Sequence, residues 1–72
     1  MKKTFLMEEL DCAHCAAKME AGIAALDGVK SVTISFLAQK MVIEVEDGML
    51  DDIMAKAQKI VHNIDPECEI LL

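Results

Sequence analysis

Two helices laid on one face of a four-stranded antiparallel sheet, an α+β fold, is what this sequence predicts, and three observations carry the prediction. Two segments repeat apolar residues at steps of three and four, as helices do. Four shorter segments alternate apolar and polar residues, as half-buried strands do. The six segments follow one another as strand, helix, strand, strand, helix, strand, which is the split βαββαβ order called ferredoxin-like. At 72 residues there is room for one domain, spanning 1–72, near the size at which a hydrophobic core alone can offset the entropy of ordering the backbone.

Thr4 to Met7 reads as the first strand, with Phe5 and Met7 on one face, and it runs into a polar turn at Glu8 to Asp11. Two cysteines then straddle the start of a helix. From Cys15 to Leu26 the residues Ala16, Met19, Ile23 and Leu26 fall on one helical stripe, and Asp27-Gly28 stops it. Val32, Ile34 and Phe36 alternate with Thr33 and Ser35, and Met41, Ile43 and Val45 alternate with Val42 and Glu44. These two strands form a hairpin around a turn at Leu37 to Lys40. Leu50, Ile53, Met54, Ala57, Ile60, Val61 and Ile64 make the cleanest amphipathic helix in the chain. Asp51 and Asp52 in its first turn and Lys56, Lys59 and His62 further on agree with its dipole, each by roughly a few tenths of a kcal/mol. Pro66 ends this helix, and Cys68, Ile70 and Leu72 alternate with Glu69 and Leu71 as a last short strand. Because each helix carries the chain back across the sheet, the turn with the cysteines should face the loop from His62 to Cys68.

Composition narrows the function. A content of 54% apolar and 28% charged residues with a single proline suits a compact globule. No apolar run is long enough to span a bilayer, and Glu8, Glu9 and Asp11 break the stretch that a secretory leader would need after Met1-Lys2-Lys3. The expectation is a cytoplasmic domain that does not insert into a membrane. A formal net charge of -6 disfavours nucleic acid and anionic lipid as partners and favours metal cations or a basic protein face. Three cysteines, two of them three residues apart, do not make the even framework of a disulfide-stapled secreted domain.

Cys12 and Cys15, at i and i+3 across a tight loop, can aim both sulfurs at one ion without straining the backbone, the chelating unit of many thiolate sites. Cys15 falls in the first helical turn, where unpaired N–H groups and the dipole are expected to favour a thiolate and lower its pKa. Two ligands on a surface loop leave the coordination sphere open, so an incoming thiolate can bind before the first ones leave. Redox motifs of the thioredoxin type also place such a pair between a strand and a helix. That fold needs a hairpin and a closing helix after its proline, and six residues follow Pro66. Haem attachment fails because Ala16 follows Cys15 where a histidine is required.

The stretch Leu10-Asp11-Cys12-Ala13-His14-Cys15-Ala16-Ala17-Lys18-Met19-Glu20 resembles the metal loop and first helix of heavy-metal-associated domains, and the likeness in element order spans the whole chain. This family includes free copper chaperones and the cytosolic N-terminal domains of metal-exporting P-type ATPases. The resemblance implies an ion held by Cys12 and Cys15, which match the family's two ligands. Glu9-Leu10 stands where the family usually has Gly-Met, so Leu10 can still plug the core under the loop while the glycine is lost. Copper members usually carry threonine before the first cysteine, whereas zinc, cadmium and lead exporters often carry aspartate, as here at Asp11. Chemistry runs the same way: two thiolates satisfy Cu(I), while Zn(II) and Cd(II) want about four ligands and accept a carboxylate oxygen. Asp65-Pro66-Glu67 resembles the acidic-Pro-acidic segment found before the last strand in domains of the zinc and cadmium pumps.

The resemblance therefore implies Zn(II), Cd(II) or Pb(II) on Cys12, Cys15 and Asp11, in the N-terminal regulatory or delivery domain of a metal-exporting P-type ATPase at the cytosolic face of the plasma membrane. Its partners would be the transmembrane part of that pump or another metal-binding domain, and it would act as a monomer. A free-standing metallochaperone, including one for Cu(I), is the alternative, and a thiol oxidoreductase the remote one. The chain is not expected to be an enzyme, since it holds neither the transmembrane helices nor the aspartyl-phosphate loop of a pump. Other residues have plainer readings. The plainer reading of Asp11 is a cap or dipole partner for the helix, His14 is an exposed spacer, His62 meets the carbonyls ending the second long helix, and the six methionines, mostly on apolar stripes, are core filler. Glu8 and Glu9 form a solvated acidic face. Cys68 has two readings: a small buried hydrophobe, or a third thiolate for a soft divalent ion.

Overall fold

The apolar runs fold into six elements in the computed structural model, which describes residues 1–10 and 12–72. They are β1 (Lys2–Glu8), α1 (Ala13–Ala24), β2 (Val29–Ser35), β3 (Lys40–Val45), α2 (Leu50–Ile64) and β4 (Glu69–Ile70). The strands form one sheet in the order β2-β3-β1-β4, and every neighbouring pair is antiparallel. This is the ferredoxin-like arrangement expected from the element order.

Register puts the apolar residues of the strands on a common face. Phe5 lies opposite Met41, which lies opposite Ile34 on the other side, and Ile43 lies opposite Val32. Met7, Ile34, Met41, Ile43 and Val45 from the sheet and Met19, Ile23, Ile53, Met54, Ala57 and Val61 from the helices join in one core cluster. Full burial of a side chain of this size contributes about 1.5–3 kcal/mol. Of the six methionines expected as core filler, Met7, Met19, Met41 and Met54 are buried and Met49 packs partly buried against the core, whereas Met1 at the chain start is exposed. Among the described residues, no helix is long and apolar enough to cross a membrane.

Boundaries differ from the expected ones for local reasons. Helix α1 stops at Ala24, because the Leu26 N–H bonds back to the Ile23 carbonyl and Gly28 takes a left-handed φ of 91° in the turn that follows. Strand β2 starts at Val29, and a bulge between Val29 and Ser31 hides its first residues from a strict alternation. Helix α2 ends at Ile64, since Asp65 before Pro66 is driven to an extended φ of -143°. A turn follows in which the Asp65 carboxylate accepts the Glu67 N–H at 3.1 Å and the Asp65 carbonyl accepts the Cys68 N–H at 3.1 Å. With its N–H engaged in that turn, Cys68 cannot open the last ladder, so β4 is shorter than expected and begins at Glu69.

Each edge of the sheet takes a side chain from a helix. Glu20 of α1 accepts the Ile34 N–H at 2.9 Å on β2, and Gln58 of α2 bonds both backbone groups of Ile70 on β4, at 2.9 and 2.8 Å.

Candidate metal centre

Strand β1 ends at Glu8, and Glu9 turns the chain with a left-handed φ of 60°. Leu10 then drops into the core, 1% exposed, as its place under the loop predicts. Cys12 is the residue that opens α1: its backbone is extended, and its carbonyl accepts the Ala16 N–H at 3.0 Å. Cys15 lies in the first turn, where helix N–H groups have no intrahelical partner. Both cysteines are half-exposed, neither is in a disulfide, and their side chains are hydrogen-bonded to each other.

That contact reverses one expectation. The helix start was expected to lower the Cys15 pKa, yet the hydrogen bond with Cys12 raises it above the ordinary thiol value. Partial removal from water, the charge of Cys12 and the Asp65 carboxylate push the same way, with Lys18 opposing. A helix dipole acts on one thiol, whereas two adjoining thiols resist carrying two negative charges. In the metal-free chain Cys15 therefore holds its proton, and an incoming ion must displace it.

The pairing of Glu8 with Glu69 puts the end of β1 beside the start of β4 and so locates the loop after α2, whose Asp65 carboxylate acts on Cys15. That loop faces the cysteine turn, as topology required. Cys68 in that loop is fully buried in the core cluster. Among the described residues no three His, Cys, Asp or Glu side chains are grouped to hold one ion, so Cys68 is not brought together with Cys12 and Cys15. Its alternation with buried Ile70 turns it inward. His14 and His62 are exposed, His62 in the last turn of α2, and Glu8 and Glu9 are exposed as well. Asp11 lies outside the described residues.

One contributor escaped the sequence reading. Gln39, in the turn between β2 and β3, bonds both backbone groups of Leu10: the Leu10 N–H donates to its Oε1 at 3.1 Å, and its Nε2 donates to the Leu10 carbonyl. A polar residue in a hairpin turn carries no pattern that reveals such a contact.

The sequence model of the heavy-metal-associated domain matches residues 4–67. The cadmium, zinc and cobalt-transporting ATPase of Bacillus subtilis (strain 168) is 26% identical over 70 residues, covering 97% of this chain and 10% of that protein. Copper chaperone CopZ of Enterococcus hirae is 30% identical over 47 residues, covering 65% of this chain and 68% of that protein. The solved structure of the CsoZ metallochaperone has the same fold, with a TM-score of 0.76 over 100% of this chain and 97% of that one at 15% identity. The chain spans about a tenth of the length of the ATPase relatives it matches. A cysteine pair at the head of α1, a ferredoxin-like fold and a domain match over most of its length make this chain a member of the heavy-metal-associated domain family.

Proposed function

We propose that residues 1–72 form one cytoplasmic domain that binds a single heavy-metal ion on the thiolates of Cys12 and Cys15, with Zn(II), Cd(II) or Pb(II) as cargo and Asp11 as a further ligand. The observation that carries this reading is the mutually bonded, half-exposed cysteine pair at the start of α1. Acidic groups favour a divalent cargo. Asp11 directly precedes Cys12, and the Asp65 carboxylate acts on Cys15. Hard oxygen donors add to the affinity for Zn(II) and Cd(II) more than for Cu(I).

The domain then serves as the N-terminal regulatory or delivery part of a metal-exporting P-type ATPase, exchanging its ion with the pump's transmembrane part or with another metal-binding domain. Support comes from relatives named as transporters of zinc, cadmium, cobalt or lead. A free metallochaperone is the second reading, favoured by the match to the CopZ chaperone over 68% of that protein's length.

Competitive titration under reducing conditions with Zn(II), Cd(II) and Cu(I) tests the choice of cargo. Asp11→Ala should weaken Zn(II) and Cd(II) at least about tenfold, the lower end of what outer-shell losses cost a metal site, and leave Cu(I) unchanged. Equal weakening of all three ions would mean that Asp11 acts through loop shape or general charge, and the divalent assignment would lose its main support.

A further inference from the structure

We infer that Gln39 is a positioning residue for the metal loop, holding the backbone two residues ahead of Cys12 so that the thiol pair meets an ion already in place. The inference rests on Cys12 and Cys15 being the ligands.

The hydrogen-bonded ladder between β1 and β3 has Leu6 opposite Lys40 as its last pair. Past that point β1 continues to Glu8 against β4; the chain then leaves the sheet for the helix start, and Leu10 is buried where water cannot satisfy its peptide groups. Gln39 takes over from the ladder. Its carbonyl accepts the Met7 N–H at 2.8 Å, its Oε1 accepts the Leu10 N–H at 3.1 Å, and its Nε2 donates to the carbonyls of Leu10 and, at 2.8 Å, Phe36. The carboxamide imitates a peptide group: one acceptor and two donors, all used. Leu10 is thus pinned at three points, through its N–H, its carbonyl and its core side chain. On the other side of Cys12 the loop is fixed by the start of α1, where the Cys12 carbonyl takes the Ala16 N–H.

Holding Leu10 in place before metal arrives removes part of the ordering cost from binding. Gln39 itself sits at a left-handed φ of 55°. Alanine there would strain the turn as well as remove the clamp, so it is a poor single test. Asparagine has the same carboxamide on a shorter stem and tolerates a left-handed backbone, and glycine accepts it freely. Both keep the turn and lose the reach.

The test measures Cd(II) affinity by chelator competition in the parent, Gln39→Asn, Gln39→Gly, Cys12→Ser and Cys15→Ser, with amide hydrogen exchange on the metal-free parent and Gln39 variants. Expected are a loss of affinity of about tenfold in both Gln39 variants, an unchanged thiolate-to-cadmium band per bound ion at saturation, and faster exchange at Leu10 with the β1–β3 amides unmoved. Parent affinity in both Gln39 variants, beside lost binding in the cysteine variants, would overturn this inference alone. General acceleration of exchange across β1 and β3 would also overturn it, because Gln39 would then support the sheet and not the loop. Undiminished binding in the cysteine variants would overturn the ligand assignment, and this inference with it.

Discussion

At the scale of single residues, chemistry turns on how Cys15 holds its proton. Its hydrogen bond with Cys12 and the nearby negative groups raise its pKa, so the folded chain keeps that proton at pH values where the unfolded chain has begun to lose it. By linkage, this contribution to stability is complete below the ordinary thiol pKa and is lost as pH rises from there through the raised value. Removing the neighbour should reverse the shift. In a titration of ultraviolet thiolate absorbance on the metal-free protein, Cys12→Ala should lower the Cys15 midpoint, and Asp65→Asn should lower it less. An unmoved midpoint in Cys12→Ala would show that the neighbouring thiol does not set it. Metal affinity should climb with pH over the same range, since each thiol must give up its proton to ligate. Cys68, directly before β4, is fully buried in the core cluster. Cys68→Ser should lower the melting temperature while leaving the thiolate-to-cadmium band per ion intact. A band reduced by about a third would mean that a third sulfur had been bound.

At the scale of elements, side chains finish what the backbone ladders leave undone. Gln58 reaches from α2 to both backbone groups of Ile70, and with only two residues in β4 these bonds are a large share of what holds that strand. Gln58→Ala should cost about 1–2 kcal/mol in denaturant unfolding and raise hydrogen exchange at Ile70. Unchanged exchange there would mean that pairing with β1 suffices. The elements differ in how plainly the sequence announces them. Helix α2 is legible end to end, because its apolar period is strict, two aspartates mark its first turn and Pro66 marks its end. Strand β2 was read three residues late because a bulge breaks its alternation, and β4 was read too long because a turn consumes the N–H of Cys68. Both features depend on which backbone group meets which, and a pattern of apolar residues holds no record of that.

At the scale of the whole molecule, topology assembles the candidate site from distant parts of the chain. The cysteine turn, the hairpin turn with Gln39 and the loop with Asp65 meet at one end of the sheet. The cysteine pair and the facing of the two loops could be read from spacing and element order. The Gln39 clamp could not, since it joins residues 29 positions apart through polar groups that follow no period. Nor could the direction of the Cys15 shift, which is a property of the pair and not of its place on a helix. The chain as a whole carries a formal charge of -6, which draws cations toward it. The central claim is one ion per chain, held by both thiolates. Native mass spectrometry of the reduced protein titrated with Cd(II), run beside Cys12→Ser and Cys15→Ser, tests it most directly. One ion on the folded parent and none retained against a chelator by either variant is the predicted result; an ion retained as tightly by both variants would contradict the account.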